Sequence, residues 1–295
     1  MSQTSVLFDV AGPRTRARHR IYTVASLVLL AGLAALLVLR MADRGQFESE
    51  LWEPFVTPDY IRALLVDGLV KTLQMAFFSV ILAVIFGTIF GVGKLSDHAS
   101  LRWLCWAVVE FFRAVPVLML MIFLYFGYGA GPGGLDAFWC VVIALTLYNG
   151  SVLAEVFRAG ILAVPRGQSE AAYAIGMRKT QVMMQILLPQ AVKIMLPAII
   201  SQCVVALKDT SLGYAITAPG LTFVGKQIYG DFQNQLQTVI VVAALYVSVN
   251  LVLTWIATWV QKKFVGEKKI LEVSMVGTDA GTGLAPEARG TTLGR

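Results

Sequence analysis

The sequence predicts an all-α integral membrane protein with six transmembrane helices, and three observations carry that prediction. Hydrophobic residues make up 57% of the 295 positions and charged residues only 14%, against about a quarter charged in a soluble domain. The mean hydropathy is +0.71. Apolar stretches reaching or approaching the ~20 residues that a bilayer-crossing helix needs recur along the chain, and basic residues gather beside their ends.

The first stretch, 21–39, reads "IYTVASLVLLAGLAALLVL" without a charge. It exceeds the ~7–15 residues of a signal-peptide core and no A-x-A-like cleavage site follows, so a retained anchor is expected. The next are 72–93, 103–128, 137–161, about 190–212 and 238–261. The third contains Glu110, Arg113 and Pro116, and the fifth is interrupted by Pro197. Such interruptions are tolerable where neighbouring helices or a polar cavity satisfy the backbone.

Positive charge sets orientation. Arg14, Arg16, Arg18 and Arg20 place the N-terminus in the cytoplasm, and alternation puts Lys94, Arg102, Arg166, Arg178, Lys179 and the Lys262–Lys263 end on the same side. Both termini are then cytoplasmic in a multi-pass protein of the plasma membrane. The expected divisions are a basic tail at 1–20, an additional helix at 21–41, an extracytoplasmic linker at 42–68, a five-span core at 69–262, and a disordered cytoplasmic tail at 263–295, rich in Gly, Thr, Ala and Glu.

Several function classes are excluded. The net charge of +6 lacks the aromatic-plus-basic pattern of a nucleic-acid surface. Cys105, Cys140 and Cys203 lie inside apolar stretches without metal-like spacing, and only His19 and His98 are available, so no metal site is expected. "GLTFVGK" at 220–226 has phosphate-loop spacing, but Gln227 stands where a Ser or Thr would hold Mg²⁺, and no buried strand precedes it. "FGVGK" at 90–94 lacks the first glycine, with Thr88 in its place. No hydrolase or protease motif appears, so no catalytic residue is expected.

The intramembrane polar residues are more informative, because ionised groups deep in a span must pair or face a cavity. Glu110 and Arg113 share a helix face, as do Glu155 and Arg158; each set reads as a structural ion pair or as a substrate contact. "LYNGSV" places Tyr148, Asn149 and Ser151 at mid-span, able to bond across helices or to receive a polar solute. Lys208, in "LKDTSL", ends the fifth span and reads as an interfacial terminus or an outer gate.

Between the fourth and fifth spans lies "GQSEAAYAIGMRKTQVMMQILLPQA", 167–191. Val164-Pro165 should stop the fourth span's helix. Glu170 is expected in the first turn of a new helix, where its charge suits the dipole. Ala171, Ala172 and Ala174 give helix without bulk, and Gly176 suits the left-handed position beyond its end. Residues 178–188 then form a second, amphipathic helix stopped by Pro189. Physically, the segment is either an interfacial connector or a docking element.

The pattern Glu170-Ala171-Ala172, Gly176 and Ile186-Leu187-Leu188-Pro189 resembles the cytoplasmic signature of binding-protein-dependent ABC importer permeases. "EFFRAVP" (110–116), "AEVFRAGILAVPRGQSEAA" (154–172), "LPQA" (188–191) and "KDTSL" (208–212) are similar to the polar amino acid branch. The resemblance covers about residues 65–262. Ala114 and Val115 depart from the family's usual Gly-Thr, and the first span with its linker is additional to the five-span core of many relatives.

The resemblance implies a type-1 permease core pairing with a second permease subunit, as homo- or heterodimer. It also implies a cytoplasmic ABC ATPase that binds ATP and Mg²⁺, and an extracytoplasmic amino-acid-binding protein. Glu170, Ala171, Ala172 and Gly176 would form the coupling helix of the EAA loop. Arg113, Tyr148, Asn149, Ser151 and Lys208 are the candidates for the solute pathway. This chain would bind no cofactor and catalyse nothing itself. The overall pattern is most like glutamate permeases, with glutamine, arginine and histidine importers as alternatives and a passive channel as a further class.

Overall fold

The computed structural model describes residues 12–265, and all its regular elements are helical. Five helices are long and apolar enough to span a bilayer: α1 (Arg14–Asp43 within Pro13–Asp43), α2 (Pro58–Gly93), α5 (Ala137–Leu162), α7 (Lys179–Ile216) and α9 (Gln235–Lys263 within Gln235–Val265). A sixth passage comes from a bent pair, α3 (Ala99–Ala114) and α4 (Val117–Gly129). Two shorter helices flank α7 in the chain, α6 (Arg166–Ala174) and α8 (Leu221–Phe232), and a single turn, Ser49–Trp52, lies between α1 and α2.

The centre is α5. Two thirds of its most apolar window is buried, while none of the corresponding window of α1 is. Both helices are apolar and both carry small residues, but Gly32 of α1 has nothing within 4 Å whereas the small residues of α5 meet a matching row on α2. On α2, Ala83, Gly87 and Gly91 are buried against α5, which answers with Gly150 and Ala154. A Cβ on Gly87 would stand 2.8 Å from the Leu153 Cβ, and one on Gly91 2.7 Å from the Ala154 carbonyl. This small-xxx-small contact lets backbones approach where lipid offers no hydrophobic drive. It was readable in the sequence as "GTIFG" and "GSVLA", without either stretch revealing its partner.

Three sequence expectations change. The span expected at 103–128 is not one helix: α3 and α4 meet at 96°. Val115 and Pro116 are extended (ψ 127° and 131°), because proline disfavours helical geometry in the residue before it. Pro189, by contrast, does not stop its helix. The chain winds as a π-helix over Val182–Leu187 and continues through Leu188–Asp209. The wider turn accommodates the missing proline N–H and the clash with the carbonyl four residues back.

Third, the helix expected to begin at 72 begins at Pro58 and passes through a π-helical stretch, Ala63–Val70. That stretch receives α8. Leu64, Leu221, Val224 and Ile228 form a buried cluster, and Thr72 Oγ1 accepts the Leu221 N–H at 2.9 Å. The segment between the spans expected at 190–212 and 238–261 thus contains a helix whose apolar residues recur at i, i+3 and i+7. Lys226 and Asp231 mask it from a hydropathy window.

The stretch between α1 and α2 is tied to the start of α9. Asn234 Nδ2 donates to the Leu51 carbonyl at 2.8 Å, and Gln237 Nε2 to the Gln46 carbonyl at 2.6 Å. The disordered tail expected at 263–295 lies almost wholly outside the described residues, as do the first eleven residues.

Candidate functional site

Helix α6 stands between α5 and α7 along the chain. Only Ala163, Val164 and Pro165 separate it from α5. It starts at Arg166, directly after the proline, so Glu170 falls in its second turn rather than in the first turn as expected. Glu170 and Ala171 are exposed, whereas Ala172 is buried. The helix packs on the π-helical stretch of α7, where Val182 is also fully buried. Ala172 is therefore small because its own chain lies against it.

The helix ends in a Schellman turn. The Met177 N–H donates to the Ala172 carbonyl at 3.1 Å and the Gly176 N–H to Tyr173 at 2.9 Å. Gly176 has φ +84°, a conformation that costs residues with a Cβ about 1 kcal/mol or more. Beyond it, Arg178 opens α7, with its N–H held by the Gln181 side chain at 2.8 Å. Lys179 meets Asp97 of the α2–α3 connection at 2.5 Å. That hydrogen bond and charge hold the exposed Asp97 carboxyl below the usual carboxylate range.

At the same end of the bundle, the two i, i+3 pairs form as expected: Arg113–Glu110 at 3.1 Å and Arg158–Glu155 at 3.0 Å. They are not separate. Lys94, buried at the end of α2, bonds Glu155 and sits 3.6 Å from Glu110. Five charged groups on α2, α3 and α5 thus make one network. It borders a cavity of about 730 Å³ that Arg102, Trp103 and Trp106 also line. In the sequence Lys94 counts only as a basic residue just past the span 72–93, since its partners lie 16 and 61 positions away.

The mid-span polar stretch resolves into a bridge. Gln202 Nε2 on α7 donates to Asn149 Oδ1 on α5, and Asn149 Nδ2 donates to its own helix at Leu145. Asn149 and Ser151 are buried; the Ser151 hydroxyl has no partner among the described residues. Tyr148 packs partly buried on the core. Gln202 was not singled out in the sequence, where nothing distinguishes it from other polar residues in spans.

Lys208 lies elsewhere, on a cavity of about 660 Å³ between α7, α8 and α9. The five pathway candidates therefore occupy three places: Arg113 in the ion network, Tyr148, Asn149 and Ser151 along α5, and Lys208 on the second cavity. Lys226 and Asn250 join Lys208 there. No group of His, Cys, Asp and Glu able to hold a metal ion occurs among the described residues.

Comparison with known proteins places this arrangement. Residues 56–266 match the family model described as binding-protein-dependent transport system inner membrane component. The match opens two residues before α2, leaving α1 outside it. The glutamate transport system permease protein GluD of Corynebacterium glutamicum is 44% identical over 226 residues, 76% of this chain and 83% of that one. The arginine transport system permease protein ArtQ of Bacillus subtilis is 32% identical over 203 residues, covering 68% and 91%. Among solved structures, an amino acid ABC transporter with histidines matches at TM-score 0.63 and 28% identity, over 69% of this chain and 95% of its own. The methionine transporter MetNI in an inward-facing conformation shares the fold at TM-score 0.62 and 23% identity, covering 70% and 99%. With the bent α3–α4 pair, the central α5 and the short α6 between two spans all inside the matched stretch, the chain belongs to the family of binding-protein-dependent transport system inner membrane components.

Proposed function

We propose that this chain is the membrane-spanning permease of an ATP-driven importer whose solute is glutamate. The observation that carries the reading is α6, a small-residue helix seated between α5 and α7 with Glu170 and Ala171 outward and a glycine turn behind it. Its likeness to the EAA loop assigns it the role of coupling helix, docked on a cytoplasmic ABC ATPase that binds ATP and Mg²⁺. The bacterial plasma membrane follows from the family, and the placing of basic residues argues for both termini on the cytoplasmic side.

The mechanism follows from how α6 is held. It is covalently short-coupled to α5 and buried against the start of α7, so a push on it moves both helices together. Asn149 and Gln202 bind those helices to each other farther along. When two partner ATPase subunits close on ATP, this unit rocks relative to a second permease subunit, and access to the solute alternates. An extracytoplasmic binding protein supplies the amino acid. The 44% identity to a glutamate permease supports glutamate over glutamine, arginine or histidine.

The test is uptake of labelled glutamate, glutamine and arginine by membranes with and without the chain, alongside its ATPase. Glutamate uptake that needs ATP is expected. Ala171→Glu should leave the protein inserted while uncoupling hydrolysis from uptake, because it alters only the outward face of α6. Full coupling in that variant refutes the docking role, and ATP-independent conduction by the chain alone supports a passive channel instead.

A further inference from the structure

The cavity between α7, α8 and α9 has an unusual balance of polar groups. Its wall carries Lys208 and Lys226 and no carboxylate. Both lysines are exposed, and neither has an ion-pair or hydrogen-bond partner among the described residues. A charged side chain within a membrane bundle ordinarily finds a partner or faces water, and snorkelling to an interface would account for one lysine at a helix end. Here two such lysines share one cavity, with polar groups spaced along its mainly apolar wall.

The wall runs along α9 from Thr238 to Thr254, with Tyr246 and Asn250 as polar residues among valines and a leucine, over roughly 24 Å at 1.5 Å per residue. Thr222 and Tyr246 share a hydrogen bond of 3.2 Å across it. Asn250 donates Nδ2 to the Tyr246 carbonyl at 2.7 Å, leaving its Oδ1 a buried acceptor with no donor. The wall therefore offers two unpaired cations and one unpaired acceptor. A solute with two carboxylates and one ammonium complements that set.

We infer that this cavity is an anion-selecting wall of the solute pathway, with Lys208 and Lys226 as its charge-selecting residues and Asn250 as an acceptor for the solute's ammonium. The inference rests on the import reading above and adds to it the residues that favour an acidic amino acid. The lysines act on the passing solute by attraction, and neither is part of the ATPase-coupling helix.

The experiment compares Lys226→Gln, Lys208→Gln and Lys226→Arg in the full chain assembled with its ATPase and binding protein, recording glutamate uptake and ATP hydrolysis side by side. One charge contact in a partly hydrated cavity corresponds to about a tenfold effect. Each Gln variant should lose about that much glutamate uptake with ATP hydrolysis retained, and Lys226→Arg should keep both. Unchanged glutamate uptake in both Gln variants overturns the charge filter while leaving the glutamate reading intact. Uptake and hydrolysis falling together, or Lys226→Arg failing like Lys226→Gln, assigns the lysines a structural role and overturns it too. A wild-type chain that carries a neutral or cationic solute and no glutamate overturns both readings.

Discussion

Removing the Glu155 charge should destabilise this protein more than removing the charge of Lys94, although the two form one bond. Lys94 is the buried member, with a side chain only 5% exposed, against 21% for Glu155. In Glu155→Gln, the ammonium keeps a single carboxylate, Glu110, at 3.6 Å. Breaking a buried pair and stranding one charge costs about 3–5 kcal/mol, and the residual Glu110 contact brings the expectation to about 2–3 kcal/mol. In Lys94→Met, each carboxylate retains its own arginine at 3.0–3.1 Å and the apolar stem is preserved, so about 1 kcal/mol is expected. Glu110→Gln, on a half-exposed pair, should cost at most about 1 kcal/mol. The decisive variant is Lys94→Met combined with Glu155→Gln, which removes the stranded cation and should melt above Glu155→Gln alone. Thermal or denaturant unfolding in lipid nanodiscs provides the ranking, and the cycle isolates the coupling. A double variant that melts below Glu155→Gln would refute the idea that Lys94 is buried at the expense of its partners.

Gly91→Val should cost about 1–3 kcal/mol or prevent insertion of the helix pair, since the new Cβ meets the Ala154 carbonyl at 2.7 Å; unfolding at the wild-type midpoint would disprove the contact. Asn149→Leu should cost about 1 kcal/mol by leaving the Gln202 amide unpaired, and adding Gln202→Leu should restore part of the midpoint. The Asp97–Lys179 bridge should be complete at neutral pH. A carboxyl held below its ordinary value contributes above the unfolded pKa and loses that contribution as pH falls through the folded one. Carboxyl NMR of Asp97 should therefore show a titration below the usual aspartate range that moves upward in Lys179→Met; an unshifted titration in that variant refutes the bridge.

The spans were legible because lipid demands long apolar helices, and α6 was legible because proline, alanine and glycine mark its start, body and end in order. Proline alone was not. Pro116 breaks α3 from α4 while Pro189 sits within α7, and the residues before each give no warning of the difference. What decides is whether the surrounding turns can absorb the lost hydrogen bond: the π-helical stretch over Val182–Leu187 does so, whereas Val115 becomes extended. The ion network shows the same division. Its i, i+3 pairs are local and readable, but Lys94 belongs to another helix and enters only through packing.

The centrality of α5 follows from a rule the apolar count hides. In water a helix that is greasy on all sides must be buried, yet in lipid it need not be, and α1 and α9 leave their most apolar windows unburied. Burial in a bilayer is won by close backbone approach and by polar groups that can pair only inside protein. Helix α5 carries both, with Gly150 and Ala154 against α2 and Asn149 against α7. The same residues that bring α5 inward also join it to α7, and the chain enters α6 three residues after α5 ends. A displacement of α6 therefore reaches first the helix that touches most of the others, which is where a coupling element has to act if one push is to move the whole bundle.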